Sequence, residues 1–210
     1  MEHTNLTIID HPLIQQKLCF LRDERTSSLN FRSMMNEVSG LMVYEVTRGL
    51  PLEEKKIKTP LEETTAKILS RPVTLVPILR AALPMCDGIL NLIPHARVGH
   101  VGLYRDHDTL QPIQYYLKFP RDIAESEIIV VDPMLATGGS AAAALDLVKE
   151  KGGKSITFMC LVAAPEGVKL LEERHPDVPV YTAALDRELN DDAYILPGLG
   201  DAGDRIYGTQ

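Results

Sequence analysis

Asp132 closes an apolar run, Ile128 to Val131, and shortly beyond it come Thr137, Gly138, Gly139 and Ser140. An alanine-rich helical pattern follows and breaks at Gly152-Gly153. The first backbone N–H groups of a helix lack internal partners, and the helix dipole adds roughly half a positive charge there. Gly138 and Gly139 carry no side chain, so a bulky anion can approach the backbone, and Thr137 and Ser140 add hydroxyl donors. Such a cradle suits a phosphate monoester. The Asp132 carboxylate would repel that phosphate, so its natural partners are hydroxyls or a hydrated cation. A phosphate cradle with an acid one sugar ring away suggests a phosphorylated ribose.

Other chemistries fit less well. The GxxxxGK[ST] and GxGxxG patterns are absent, and no GxSxG elbow surrounds Ser140. From the turn alone, an ordinary capped strand-to-helix connection reads equally well. Arg80 follows the strand-like run Val73 to Leu79 directly, at the strand end where open α/β sheets bind ligands; a helix cap or a surface ion pair is its simpler explanation in isolation. Arg105, at the end of RVGHVGLYR, reads alone as a surface cation of a hairpin, and Asp106 and Asp108 beside it as a solvated loop rather than a metal-binding pair. The tail from Asp186 to Gln210 is rich in glycine yet keeps Ile195, Leu196 and Leu199. It reads as an ordered loop whose backbone could match the edge of a flat heterocycle, or as an Ω-loop closing the domain.

The elements that must position these groups alternate. Strands are expected at 73–79, 97–105, 112–119, 128–131, 155–164 and 178–184, with an alanine-rich helix after Ser140 that breaks at Gly152-Gly153 and another helix over 165–174, which predicts a mostly parallel sheet covered on both faces. The 97–105 and 112–119 strands read as a β-hairpin arm with a mobile tip. Residues 1–70 read as a helical addition: a short strand at 7–9, helices from Pro12 and over 30–48, a charged connection at 51–58 and a further helix over 61–69. The whole, 1–210, is expected to be a single α/β domain, with a core at 73–184 and a C-terminal tail at 186–210.

The 210-residue length suits one α/β domain, and a net charge of −7 disfavours a sequence-independent nucleic-acid binder. No stretch is apolar for the length of a membrane span, and the N-terminus lacks a secretory pattern. Cys19, Cys86 and Cys160 lie far apart among apolar neighbours, which fits free, mostly buried thiols in a reducing cytoplasm. The histidines form no i,i+4 pair and read mostly as surface or loop residues. No side-chain cluster for a metal is visible.

VVDPMLATGGS resembles the phosphoribosyl pyrophosphate (PRPP) motif of type I phosphoribosyltransferases. Many members carry two adjacent acids there; the Asp132-Pro133 pair is similar to the uracil phosphoribosyltransferase branch, as is the tail YILPGLGDAGDRIYGT. The likeness extends over nearly the whole chain. It implies a type I phosphoribosyltransferase fold with a C-terminal base-binding hood, and transfer of the phosphoribosyl group of PRPP to uracil through an oxocarbenium-like state, giving UMP and pyrophosphate. By resemblance, PRPP would be held by Asp132, Pro133, Met134, Leu135, Ala136, Thr137, Gly138, Gly139 and Ser140, with Arg80, Arg105 and Asp201. Uracil would meet Ile195, Gly200, Asp201 and Ala202. Arg80, Arg105, Asp132 and Asp201 are the expected catalytic set, Asp201 as the group nearest the uracil ring proton. PILRAAL resembles the family's diphosphate loop, with Ala82 where a glycine is usual.

The resemblance also implies Mg2+, carried mainly by PRPP rather than by side chains, a homo-oligomer of two or more copies, and, as in some relatives, GTP as an effector. A partner nucleic acid or membrane is not expected. Three rivals remain open at the level of sequence: a purine or orotate enzyme of the same chemistry, an RNA-binding regulator on the same fold, and a non-catalytic phosphate-binding module.

Overall fold

Residues 4–105 and 112–209 are described in the computed structural model of the protein. The chain opens with a short strand, β1 (Leu6–Ile8), and two helices, α1 (Pro12–Arg22) and α2 (Ser28–Val46). His11 and Ser27 cap these helices through side-chain acceptors, and Pro12 occupies the first turn of α1, where its missing N–H costs nothing.

Residues 51–70 correct the sequence reading. In place of a connection and a helix over 61–69, β2 (Leu52–Lys58) and β3 (Glu63–Leu69) pair antiparallel at seven positions and stand almost wholly in solvent. Leu61, Ala66 and Leu69 mimic a helical spacing. Pairing overrides it, because Glu54 faces Lys67 and Lys58 faces Glu63, opposite charges placed directly across a ladder. The Thr59 hydroxyl closes the turn by accepting from the N–H groups of Leu61 and Glu62. Residues 4–70 therefore hold an edge strand of the main sheet, two helices and a free-standing hairpin.

The core follows the expected alternation. β4 (Val73–Leu79) leads to α3 (Leu83–Leu92), then β5 (Arg97–Val98), β6 (His100–Arg105) and β7 (Pro112–Lys118). A 3-10 turn precedes β8 (Glu127–Val131), which is followed by β9 (Met134–Leu135), α4 (Gly139–Glu150), β10 (Ser155–Ala163), α5 (Pro165–Arg174) and β11 (Val180–Leu185). The nine-stranded sheet runs β1-β11-β10-β8-β4-β6-β7, with β5 beside β4 and β9 beside β10. Every pairing is parallel except β6 with β7. The expected strand at 97–105 is broken at Gly99, and the tip between β6 and β7, with Asp106 and Asp108, lies outside the described residues.

Helices cover both faces. One apolar layer joins α1, α2 and α3 to the sheet through Phe31, Met35, Leu75 and Met159; the other joins α4 and α5 through Leu145, Val148, Phe158 and Leu171. Burial on both faces is why β8 and β4 read as continuous apolar runs without alternation. Cys86 and Cys160 are buried as expected, and Cys19 is exposed. His175, at the end of α5, departs from the expected surface placement: it is buried, and burial lowers its pKa. Among the described residues no helix is long and apolar enough to cross a membrane.

After β11 the tail doubles back as β12 (Glu188–Leu189) and β13 (Ile195–Leu196) and ends in α6 (Ala202–Tyr207).

Candidate active site

The candidate site sits at the carboxyl ends of β4 and β8, where the strands stop but the chain must turn back into helices. Asp132 directly follows β8, and the chain passes through β9 before Gly138, in the left-handed region at φ 84°, opens α4. Gly138, the residue at the helix start, has no side chain with which to cap it. The first N–H groups of α4 lie at the positive end of the helix dipole, where an anion is favoured. A β-carbon at Gly138 would lie 3.0 Å from the Gly167 carbonyl oxygen, and one at Gly167 would lie 2.4 Å from the Ala136 carbonyl oxygen. Two glycines let α5 press against the turn and fix it. Gly167 carried no signal in the sequence beyond its position in an ordinary helix.

A cavity of about 310 Å³ opens beside this turn. Asp132, Pro133, Met134 and Ala136 form one wall, and Gly200, Asp201 and Ala202 of the tail form the other. Ala81, from the loop after β4, joins them. The structure therefore brings together, from sites some seventy residues apart, both halves of the expected donor and base region. Thr137, Gly138, Gly139 and Ser140 continue from the first wall into α4, outside the cavity lining. The side chains of Leu135 and Ile195 point into the apolar layers. Asp192, Ala193 and Tyr194, at the tip between β12 and β13, also line the cavity, and sequence reasoning passed over them. Ala193 holds φ 63°, a left-handed conformation that costs a residue with a β-carbon about 1 kcal/mol.

Burial pushes the Asp132 carboxyl up to about 7, with the Met134 N–H, 3.5 Å away, offering only weak relief. A carboxylate so poorly solvated gains from any hydroxyl or cation brought to it. Asp201 has a second duty. Its Oδ1 accepts from the Asp204 N–H at 2.9 Å, so it caps α6 while facing the cavity.

Arg80 is exposed at the mouth of the β4–α3 loop. Ala82, where the loop motif usually has glycine, sits at φ −81° with its methyl fully buried, a conformation open to any residue. The departure from the motif is absorbed without strain. The backbone of β6 pairs with β4 at Ile78 and Leu79 and runs on to Arg105. The side chain of Arg105 lies outside the described part of the structure.

The tail is held by groups that the sequence did not advertise. Asp186, buried, accepts two hydrogen bonds from the Arg22 guanidinium, at 2.8 and 2.6 Å, and a third from the Gly198 N–H at 2.9 Å. Arg22 also donates to the Gly198 carbonyl at 3.0 Å. Gly198 lies at φ 62°, and a β-carbon there would meet the Ile195 carbonyl oxygen at 2.1 Å. Arg205 donates to the carbonyls of Leu21, Leu199 and Asp23, with its guanidinium 4.3 Å from the centroid of the Phe31 ring. The N-terminal helices thus serve as the anchor of the tail.

A family model described as uracil phosphoribosyltransferase matches residues 8–209. The chain belongs to the uracil phosphoribosyltransferase family. A family member from Geobacillus kaustophilus, itself named uracil phosphoribosyltransferase, is 58% identical over 204 residues, covering 97% of this chain and 98% of the relative. A solved structure of the AQ2163 protein from Aquifex aeolicus superposes with a TM-score of 0.93 at 35% identity, over 98% of this chain and 99% of that one. More distantly, a hypoxanthine-guanine phosphoribosyltransferase from Bacillus anthracis shares the fold, with a TM-score of 0.52 at 11% identity over 76% of this chain and 79% of that one. The family membership and these neighbours make the architecture a type I phosphoribosyltransferase fold.

Proposed function

We propose that the protein transfers the 5-phosphoribosyl group of PRPP to uracil, forming UMP and releasing pyrophosphate, as a cytoplasmic pentosyltransferase of pyrimidine salvage. The observation that carries this reading is the single cavity shared by Asp132 with its neighbours and by Gly200 to Ala202, in a chain of the uracil phosphoribosyltransferase family. The 5′-phosphate sits at the glycine start of α4, among Thr137, Gly138, Gly139 and Ser140. Asp132 takes the ribose hydroxyls, and Pro133, Met134, Leu135 and Ala136 contribute backbone and shape around the sugar. Arg80 and Arg105 receive the diphosphate. The base lies against Gly200, Asp201 and Ala202, with the backbone at Ile195 behind them, and Asp201 is the nearest acceptor for the ring proton that uracil loses.

Mg2+ fits this donor set. No group of three metal-ligating side chains occurs among the described residues, and Mg2+ binds through one or two carboxylates plus substrate phosphate oxygens and water. Asp132 is the carboxylate that would meet it, and when bound the ion neutralises charge on the departing diphosphate. The protein itself binds and orients: displacement at the anomeric carbon needs no covalent nucleophile, and its acceleration comes from alignment and fixed charge. A homo-oligomer is supported by the free-standing arm of β2 and β3 and by an apolar groove of about 550 Å³ lined by Leu13, Leu41, Tyr44 and Leu92. GTP as an effector is supported by the family resemblance alone.

The test is direct. Protein incubated with PRPP and Mg2+ should convert uracil to UMP and leave orotate and hypoxanthine unreacted. No UMP, or preferred use of either other base, would refute the reading. Orotate in particular would need a cation at the base for its carboxylate, and the base wall offers backbone and Asp201 instead.

A further inference from the structure

We propose that Tyr207 is a positioning residue for the diphosphate of PRPP, holding the Arg80 loop in register with the base-reading tail. The inference rests on the assignment of Arg80 to the diphosphate. Its basis is a pair of contacts between residues 127 positions apart in the chain. The Tyr207 hydroxyl donates to the Arg80 carbonyl at 2.9 Å, and the Arg80 guanidinium lies 5.6 Å from the centroid of the Tyr207 ring. The same carbonyl accepts the Leu83 N–H at 3.3 Å, so the loop is held from its own helix and from the tail at once. Partial burial raises the pKa of the phenol, which keeps it a donor at working pH.

The position of Tyr207 gives these contacts meaning. α6 is six residues long; Asp201 caps its start inside the cavity and Tyr207 ends it on the Arg80 loop. Between them Ile206 is fully buried and Arg205 is fastened to Leu199 and Asp23, so the helix moves as one piece. Whatever fixes residues 200–202 therefore fixes Tyr207, and through it Arg80. Two ligand sites joined by one rigid element bias each other reciprocally. A base in the cavity favours the Arg80 placement that receives the diphosphate, and a bound diphosphate favours the base-ready tail. Tyr207 is itself 38% exposed, so its hydroxyl is not a core contact whose loss would unfold the domain.

The test uses Tyr207→Phe, which keeps the ring, and Tyr207→Leu, which removes both contacts, each made also on an Arg80→Ala background. The KM for PRPP should rise about 3- to 10-fold in the Phe variant and roughly 10- to 50-fold in the Leu variant, while the dissociation constant of uracil measured without PRPP stays within about twofold. Melting temperatures should be unchanged, and neither substitution should add to the loss already caused by Arg80→Ala. An unchanged KM for PRPP, a fall in kcat alone, or full additivity with Arg80→Ala overturns the inference while leaving the site assignment standing. If Arg80→Ala by itself leaves PRPP kinetics at wild-type values, the assignment of Arg80 fails, and the role of Tyr207 falls with it.

Discussion

Asp132 carries a measurable conflict between stability and activity. Its carboxyl pKa rises from the ordinary 3.8 to about 7 because burial penalises the charged form. Between those two values the folded chain holds a proton that the unfolded chain has released. Stability therefore falls as pH rises from about 4 to about 7 and levels off above that. Roughly three decades of proton affinity, at ~1.4 kcal/mol each, set a ceiling of about 4 kcal/mol. Because the side chain keeps some contact with solvent, we take about half of that, ~2 kcal/mol. Asp132→Asn has nearly the same shape and no proton to lose. At pH 8 it should melt about 4 to 8 °C above the wild type, given ~2–4 °C per kcal/mol for a chain of this size. Near pH 3.5 the advantage should shrink towards zero, since the wild-type carboxyl is then protonated in both states. Activity should move the other way, because on the proposed assignment the carboxylate receives ribose hydroxyls and Mg2+, which an amide would hold poorly; in the wild type, kcat/KM for PRPP should decline below about pH 7. Thermal melts of both proteins across pH 3.5 to 8, with PRPP kinetics alongside, decide the matter. A difference in melting temperature that does not depend on pH would refute the reasoning, and wild-type PRPP kinetics in the variant would refute the ribose assignment.

Two further perturbations probe the scaffold around the site. Gly138→Ala forces a β-carbon into φ 84° and against the Gly167 carbonyl, so it should cost about 1–3 kcal/mol in chemical denaturation and weaken PRPP binding more than uracil binding. Asp186→Ala removes three hydrogen bonds and leaves Arg22 without its carboxylate partner; a loss of roughly 3 kcal/mol is expected, at the low end for a broken buried pair because Arg22 keeps some solvent contact and its bond to the Gly198 carbonyl. The same variant should raise the KM for uracil, and Arg22→Lys, which keeps charge but not the fork, should fall between the two in both measurements.

The sequence and the tertiary structure divide the protein unevenly. The parallel core was legible because each of its signals is local: the runs at 73–79, 128–131 and 155–164 are largely apolar because both faces of the sheet are covered, and the glycine turn at 138–139 announces itself. The proposed donor side of the site, Asp132 to Ser140, is a continuous segment and could be read as one. The arm at 52–69 could not, because helix-like spacing in Leu61 to Leu69 is indistinguishable from a strand until the partner strand is known. Arg22, Asp186, Arg205 and Tyr207 stayed silent for a related reason. Their partners lie 127 to 184 positions away in several cases, and a lone arginine or tyrosine in a tail carries no periodicity. Residue type and order settled which chemistry the chain could support. Only folding decided which backbone carbonyls and carboxylates those side chains would meet, because hydrogen bonds form over about 3 Å in space and are blind to distance along the chain.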